Sequence, residues 1–356
     1  MISLDHINVR AGSFELKDIS FEVPKAGYGV VIGPAGSGKT TLLETIAGVL
    51  RPTSGRILIE GTDVTHAPPE SRRLGIVYQH AYLFPHLSVR RNVEYGARST
   101  AIVDDISERF ELGELERRAV TSLSGGERQL VAMARALARR PAAILFDEPF
   151  SALDPRTRNT MRRVVRTIHR EWGFTALQVT HDFSEAGLLG DVAIVLDEGR
   201  VVQQGEPEAV FRKPATPYIA DFLGAENVFA GVVRSVDGAG SRLANREDEF
   251  GKRAVEFITD ALTFYALGDV SDGPTHAVIR AEEVSLSTET SASSMKNQFH
   301  GRITEIVPAG ALTRVTVDIG GTPIVAAITT RSARELCLAT GNDVVAAFKA
   351  TAIHFC

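Results

Sequence analysis

Cysteine is scarce in this 356-residue chain: only Cys337 and Cys356 occur. Two thiols cannot build a disulfide framework, so a reduced, cytosolic setting fits. They read as a small apolar group in a short helix and a terminal residue, and neither is assigned a metal. Long apolar runs are also missing. No stretch reaches the roughly 18 apolar residues that cross a bilayer. The opening MISLDHINVR has neither the basic start nor the apolar stretch of a secretory leader. Any work at a membrane is therefore expected to go through a partner that spans it. Positive charge is not in excess either: 39 Lys and Arg against 44 Asp and Glu leave a net charge of -5. That balance gives no electrostatic footprint for nucleic acid. What is present is a hydrophobic fraction of 44%, enough at this length for sizeable cores in two or three domains.

The first half alternates short apolar runs with helical patterns. Tyr28-Gly29-Val30-Val31-Ile32 reads as a buried strand, and Thr40 to Leu50 as the helix after it. Ala142 to Phe146, Thr175 to Val179 and Val192 to Leu196 are further strand-like runs. Strands alternating with helices predict a largely parallel sheet covered on both faces. After about Phe211 the pattern changes. Lys213-Pro214-Ala215-Thr216-Pro217 reads as a linker. Beyond Glu226 come short β-like runs with Gly, Asp and Ser turns. Leu312 to Ile319 alternates like a half-buried strand, and Gly320-Gly321 makes a turn. Ser332 to Leu338 reads as one short helix capped by Ser332. The polar break Ser291-Ala292-Ser293-Ser294 is expected to divide the tail into two small β-barrels.

Gly33-Pro34-Ala35-Gly36-Ser37-Gly38-Lys39-Thr40 follows a strand and opens a helix. It matches G-x-x-x-x-G-K-[ST] in the context that motif requires. Glycines let the backbone wrap closely around phosphate oxygens, and the free N–H groups of a helix start favour negative charge. Lys39 is expected to reach the β- and γ-phosphates and the Thr40 hydroxyl to ligate Mg²⁺, with Thr41 beside it. Asp147 and Glu148 end an apolar strand. Two acids exposed there repel one another, so a cation is expected nearby. Asp147 suits the Mg²⁺ shell, and Glu148 suits the base that polarises an attacking water.

Leu123-Ser124-Gly125-Gly126-Glu127-Arg128-Gln129 resembles the signature motif of the ABC ATPases, with Glu127 where glutamine is common. Gln79 in Val-Tyr-Gln resembles the Q-loop, and Asp154 in Ser-Ala-Leu-Asp the D-loop. His181 in Val-Thr-His-Asp resembles the switch histidine. The motifs stand in the family's order over roughly residues 1 to 225. The resemblance implies an α/β P-loop NTPase (ABC ATPase) domain at 1–225, with a helical subdomain at about 87–140. Small all-β, OB-like barrels are expected after it. It also implies a head-to-tail homodimer, in which ATP lies between one subunit's phosphate loop and Ser124, Gly125, Gly126 and Glu127 of the other. His181 would contact the γ-phosphate, and Gln79 would reach Mg²⁺ and the water. The cofactors implied are ATP and Mg²⁺. The partners implied are membrane permease subunits and, indirectly, an extracytoplasmic substrate-binding protein, at the cytoplasmic face of a prokaryotic membrane. No nucleic-acid partner is expected. One departure concerns adenine: where the family supplies an aromatic, this chain has Arg10 or Ala11, with Phe14 nearby.

Residues 294 to 356 resemble the small molybdate-binding barrel of the molbindin or TOBE type, through Ser294-Met295-Lys296-Asn297-Gln298-Phe299-His300-Gly301 and Phe348-Lys349-Ala350-Thr351. This implies an importer of molybdate or tungstate, with barrels at 226–290 and 291–356 and the second sensing the oxyanion. Ser294, Lys296, Asn297, Lys349 and Thr351 would supply donors to a tetrahedral dianion, the two stretches meeting across subunit contacts. The same motor could serve sulfate, phosphate, ferric iron, a sugar or a polyamine. A soluble ABC switch protein and an oxyanion sensor are the readings from other classes.

Overall fold

The computed structural model describes residues 1–235, 253–268, 270–290 and 292–356. The chain divides into two compact units, Met1–Val210 and Phe211–Cys356. The first unit opens with β1 (Ile2–Ala11), β2 (Phe14–Val23), β3 (Tyr28–Ile32), α1 (Lys39–Ala47), β4 (Ser54–Ile59), β5 (Thr62–Asp63) and β6 (Leu74–Val77). Three helices follow: α2 (Val89–Glu94), α3 (Thr100–Arg109) and α4 (Gly125–Ala138). The unit then returns to alternation with β7 (Ala143–Asp147), α5 (Pro155–Trp172), β8 (Thr175–Thr180), α6 (Phe183–Leu189), β9 (Val192–Asp197) and β10 (Arg200–Gly205).

Six of these strands form one sheet in the order β10-β9-β3-β8-β7-β6. All neighbours are parallel except the β10–β9 pair. β3, β7 and β8 are buried along their whole length, as strands covered on both faces must be. A second, antiparallel sheet β2-β1-β4-β5 packs its apolar face into the same core. The expected strands at 28–32, 142–146, 175–179 and 192–196 are all present. The helices at 89–138 fill the expected helical insertion. No helix among the described residues is long and apolar enough to cross a membrane.

The second unit starts near α7 (Pro207–Arg212) and contains α8 (Pro217–Phe222). Its strands are β11 (Asn227–Ser235), β12 (Arg253–Ile258), β13 (Thr263–Gly268), β14 (Gly273–Ile279) and β15 (Ser285–Ser287). After these come β16 (Asn297–Ala309), β17 (Leu312–Ile319), β18 (Thr322–Thr329), α9 (Thr330–Glu335), β19 (Asp343–Phe348) and β20 (Ile353–Phe355). The helix expected at Ser332 starts earlier, because Thr329 is its cap: Thr329 Oγ1 accepts from the Ser332 N–H at 3.0 Å.

The two five-stranded sheets are β13-β12-β11-β14-β20 and β18-β17-β16-β19-β15. Read this way, each strand has its counterpart in the other sheet, except that the last strands are exchanged. β15 follows β14 in the chain yet pairs with β19, and β20 follows β19 yet pairs with β14. The repeat shows in sequence as Asn-x-Phe-x-Gly, at Asn227–Gly231 and at Asn297–Gly301. Both strands carry the same opening burial pattern. The glycines are needed for close approach: a Cβ on Gly231 would stand 2.5 Å from the Ile258 carbonyl oxygen, and one on Gly301 2.5 Å from that of Asp318.

The expectation of two successive barrels, 226–290 and 291–356, is corrected accordingly. Each half lacks a strand that the other supplies, and one hydrophobic core runs through both, from Val233, Phe257 and Phe264 to Ile303, Val317 and Phe348. Residues 236–252, 269 and Ser291 of the expected break lie outside the described residues.

The two asparagines also reach across. Asn227 Nδ2 donates to the Val325 carbonyl at 2.8 Å, and the Val325 N–H donates to Asn227 Oδ1 at 2.7 Å. Asn297 does the same to Tyr265, at 2.9 and 2.8 Å. Val325 and Tyr265 lie on β18 and β13, the outer strands of the two sheets. Each half thus covers the exposed edge of the other. Asn227→Ala and Asn297→Ala leave a backbone donor and acceptor without partners. Each is expected to lower stability by about 1–3 kcal/mol in urea unfolding. A loss below about 0.5 kcal/mol for both would show that these clamps are not structural.

Candidate functional site

The phosphate loop leaves the buried β3 at Gly33, where a Cβ would stand 2.1 Å from the Leu196 carbonyl oxygen. It ends at Gly38, the N-cap of α1, at φ +103°, a conformation that side chains rarely adopt. Between them Ala35 and Gly36 are exposed at the loop tip, Pro34 is half-buried, and Ser37 is buried with its hydroxyl unpartnered. Lys39 lies back over the loop, donating to the carbonyls of Gly33 at 2.8 Å and Pro34 at 2.9 Å. An ammonium has three donors, so one remains for a phosphate oxygen. Burial pushes the Lys39 pKa down, against the pull of Glu148 and Asp147. Thr40 and Thr41 stand on the first turn of α1, Thr40 exposed.

Thr40 Oγ1 lies 3.4 Å from Asp147 Oδ2, which belongs to the last residue of β7. Adjacent ligands of a Mg²⁺ ion at about 2.1 Å stand roughly 3 Å apart, so this hydroxyl and carboxylate suit one ion. The charge also suits it: burial first, then the neighbouring Glu148, hold the Asp147 pKa above the usual carboxylate range. A cation would relieve both. Thr40 and Asp147 could hold Mg²⁺, and Gln79 is placed near them. It lies two residues past Val77, which pairs with Phe146 in the β6–β7 ladder, and it is exposed.

Glu148 follows Asp147 with φ at +43°. Its N–H donates to the Val179 carbonyl at 3.0 Å, and its Oε1 lies 2.9 Å from Nδ1 of His181. Glu148, His181, Ser151, Arg158 and Thr180 line a cavity of ≈ 90 Å³ together with Asp182 and Glu185. At about 30 Å³ per molecule it has room for two or three waters among polar partners. Glu148 and His181, two of the three residues that the sequence proposed for hydrolysis, are thus brought together, on loops that end neighbouring parallel strands.

Ser124 caps α4 and forms a reciprocal box with Glu127: the Glu127 N–H donates to Ser124 Oγ at 3.2 Å, and the Ser124 N–H to Glu127 Oε2 at 2.7 Å. Those bonds pull the Glu127 pKa down and account for a glutamate here. The helix begins at Gly125, not at Glu127 as a simple reading of the run suggests, which leaves Ser124 and Gly125 exposed at its start. Gly126 packs under Ala152 and Leu153, where a Cβ would meet the Ala152 carbonyl oxygen at 3.3 Å. Asp154 caps α5, accepting from the N–H groups of Arg156 at 3.0 Å and Thr157 at 3.1 Å. Sequence reasoning missed Gln129, which is buried and donates to the Tyr78 carbonyl at 3.1 Å. This bond ties α4 to the segment that carries Gln79. Its buried polar side chain within a helix stripe was the available signal.

Arg10 and Ala11 stand at the end of the β1–β2 hairpin, with Arg10 exposed and 3.8 Å from Glu15. Phe14 turns inward: a Cβ on Gly38 would lie 2.7 Å from its ring. It packs against the core beneath the phosphate loop.

In the second unit, the β16–β19 register pairs Asn297 with Phe348, so the next positions, Lys296 and Lys349, face each other. The two stretches therefore come to the same end of this ladder within one chain. Ser294, Lys296, Lys349 and Thr351 are exposed, and no ion pair of either lysine occurs among the described residues. Asn297 does not join them. It is buried, and its amide is committed to Tyr265.

The ABC transporter family model matches residues 16–151, and the TOBE domain model residues 293–355. The molybdate/tungstate import ATP-binding protein of Pyrococcus horikoshii is 37% identical over 362 residues, covering 99% of this chain and 99% of that protein. The sulfate/thiosulfate import ATP-binding protein of Acinetobacter baylyi is 36% identical over 346 residues, covering 94% of this chain and 92% of that protein. Among solved structures, a dimeric ATP-binding cassette in a post-hydrolysis state, with ADP and phosphate bound, aligns with a TM-score of 0.53 at 28% identity. It covers 58% of this chain and 99% of its own. The motifs, the parallel sheet that carries them and these matches converge: the chain belongs to the ATP-binding subunits of ABC importers that carry a C-terminal TOBE domain, ATPases that couple ATP hydrolysis to transport.

Proposed function

We propose that Glu148 and His181 carry the hydrolysis of ATP to ADP and phosphate, and that the cargo is molybdate or tungstate. The 2.9 Å contact between the two side chains beside a cavity of ≈ 90 Å³ supports the first part. Lys39 and the backbone N–H groups of the loop, Pro34 having none, hold the phosphates, and Glu148 orients and polarises the attacking water. His181 fixes Glu148 and the γ-phosphate, and Gln79 completes the water site. Bound at Thr40 and Asp147, Mg²⁺ would neutralise charge on the β- and γ-phosphates. Ser124, Gly125, Gly126 and Glu127 present the start of α4 to the ATP of a second copy, so that the working form is a head-to-tail dimer. Permease subunits at the cytoplasmic face of a prokaryotic membrane receive the stroke.

The observation that carries the cargo reading is the facing pair Lys296 and Lys349. At the equivalent positions of the first half, Glu226 stands opposite Arg280, one step beyond the Asn227–Ile279 pair. There the charges are already matched: Arg314 lies 3.0 Å from Glu226, and Arg280 donates to the carbonyls of Leu223 and Phe211. The second half keeps two exposed lysines, with Ser294 and Thr351 each two residues away in the chain, donor types that suit a tetrahedral dianion. This predicts one oxyanion per chain, bound in the second half. The Pyrococcus horikoshii relative agrees with molybdate or tungstate as the anion, and the Acinetobacter baylyi relative makes sulfate the competing one. Bound oxyanion would report cytoplasmic excess and slow the ATPase.

Three experiments test these roles. Thermal unfolding of the full chain addresses the acid pair. Because the folded Asp147 pKa is raised, its ionisation costs stability as pH rises from 3.8 through the raised value. Asp147→Asn at neutral pH without divalent ions should unfold no lower than wild type, and only wild type should gain stability when Mg²⁺ and ATP are added together. An equal gain in the variant would remove Asp147 from the ion's shell. Glu148→Gln should bind ATP, dimerise and stall, and normal turnover by that variant would discard the base assignment. Calorimetric titration of the intact chain addresses the cargo. Molybdate or tungstate should saturate at about one per chain, with sulfate weak and binding lost in Lys349→Ala. Tight sulfate binding would change the cargo, and no binding would confine the tail to a structural role.

A further inference from the structure

We infer that Arg162 is a positioning residue for ATP hydrolysis, a single guanidinium that holds the two loops presenting Glu148 and His181 to each other. The inference rests on the reading of those two residues as the catalytic pair.

The geometry has a specific problem to solve. Glu148 lies on the loop after β7 and His181 on the loop after β8, and their contact requires both loops to be fixed. His181 is exposed, with 66% of its side chain accessible, so core packing does not hold it. Its neighbours do. The Asp182 N–H donates to Thr180 Oγ1 at 3.1 Å, and Asp182 Oδ1 caps α6 by accepting from the Ser184 N–H at 2.9 Å. The other oxygen of Asp182 accepts from Arg162 Nη2 at 2.5 Å.

Arg162 comes from the third turn of α5 and is only 5% exposed. Its Nη2 also donates to Glu185 Oε1 at 2.6 Å, its Nε to the same oxygen at 3.2 Å, and its Nη1 to Ser184 Oγ at 3.1 Å. These two partners and Asp182 all lie within the four residues that follow His181. On its other side the guanidinium lies 5.9 Å from the ring of Phe150, two residues after Glu148. One side chain therefore touches both catalytic loops.

The network continues inward. Gln178 of β8 donates to Glu185 Oε2, and the Tyr28 hydroxyl of β3 donates to Gln178 Oε1 at 2.6 Å. The strand that leads into the phosphate loop is thereby joined to the same set. Outward, α5 is capped by Asp154, and its Arg158 donates to the Leu153 carbonyl at 3.0 Å. The helix that carries Arg162 thus also holds the D-loop.

Stability alone does not account for such a cluster. Burying an arginine and a glutamate costs several kcal/mol per ion, and apolar residues of similar volume serve as well or better in many interiors. A planar fork of five donors supplies direction instead. It fixes Asp182, and through it the backbone on which His181 turns.

The test is steady-state ATP hydrolysis by the purified full-length chain. Asp182→Asn keeps the buried Arg162–Glu185 pair and keeps a residue able to cap α6, so the fold is retained. It should lower kcat about tenfold and leave KM for ATP within about twofold, because the phosphate loop is untouched. Arg162→Lys retains the charge but loses the fork, and should shift the same parameter in the same direction. In a His181→Ala background, Asp182→Asn should add less than about a twofold loss, since residues acting through one another are not additive. A merely structural residue would multiply its effect in that background. The inference is overturned if Asp182→Asn stays within about twofold of wild type, or if its full loss persists without His181. If Arg162→Lys does not fold, Asp182→Asn decides alone. Normal turnover by Glu148→Gln would instead overturn the catalytic reading beneath it, which separates the two failures.

Discussion

The phosphate loop, Glu148 and His181 all hang from the ladder that β8 makes with β3 on one side and β7 on the other. The pairs Ile32–Thr180 and Asp147–Val179 bring the three strand ends level. Because the strands are parallel, their loops leave from the same edge, and Gly33, Glu148 and His181 emerge side by side. The bond from the Glu148 N–H to the Val179 carbonyl carries the ladder one residue beyond the strand. All three strands are buried on both faces. A one-residue slip would move every side chain to the opposite face, so the hydrophobic core and the catalytic geometry are set by the same register. This is why the site tolerates short, exposed loops.

What the sequence made legible follows the same physics. The phosphate loop, the acid pair and the signature each act through a run of fewer than ten residues, where glycines, a lysine or a cap must stand at fixed spacing. Such constraints are local and can be read directly. Arg162 with Glu185, Gln129 with the Tyr78 carbonyl, and Arg72 with the carbonyls of Thr45 and Ile46 are different. Each joins segments far apart in the chain, and nothing near Arg162 in sequence distinguishes it from the exposed arginines of the same helix. The short helix at 330–335 shows the limit at closer range. Thr329 and Ser332 are both good caps, and the fold uses the one that sits in extended backbone at the end of β18.

The second unit was legible as a duplication of β-rich halves but not as an exchange. β15 and β20 have only three residues each, too short to show a period. Their partners are set by which edge is open when the halves meet. The result is a unit whose halves share a core and cap each other's outer strands through Asn227 and Asn297. The duplicated frame still lets the two halves diverge in charge: Glu226 pairs with Arg314 at one position, while at its counterpart no ion pair of Lys296 or Lys349 occurs among the described residues.

Glu148 shows how local cost and function are joined. Its φ of +43° is a conformation that a residue with a Cβ rarely adopts, and such positions cost about 1–3 kcal/mol. Three bonds offset it: the N–H to the Val179 carbonyl, and the carbonyl accepting from the Ser151 N–H at 3.2 Å and hydroxyl at 2.9 Å. An extended residue at 148 would continue the line of β7 and carry its carboxylate away from β8. The left-handed turn instead swings it across the strand end, where His181 meets it. Glycine would relieve the backbone but supply no base, and a residue without strain would supply the base in the wrong place. The surrounding bonds are therefore what make a strained glutamate possible at this position, and the Ser151 hydroxyl is the side-chain part of that support.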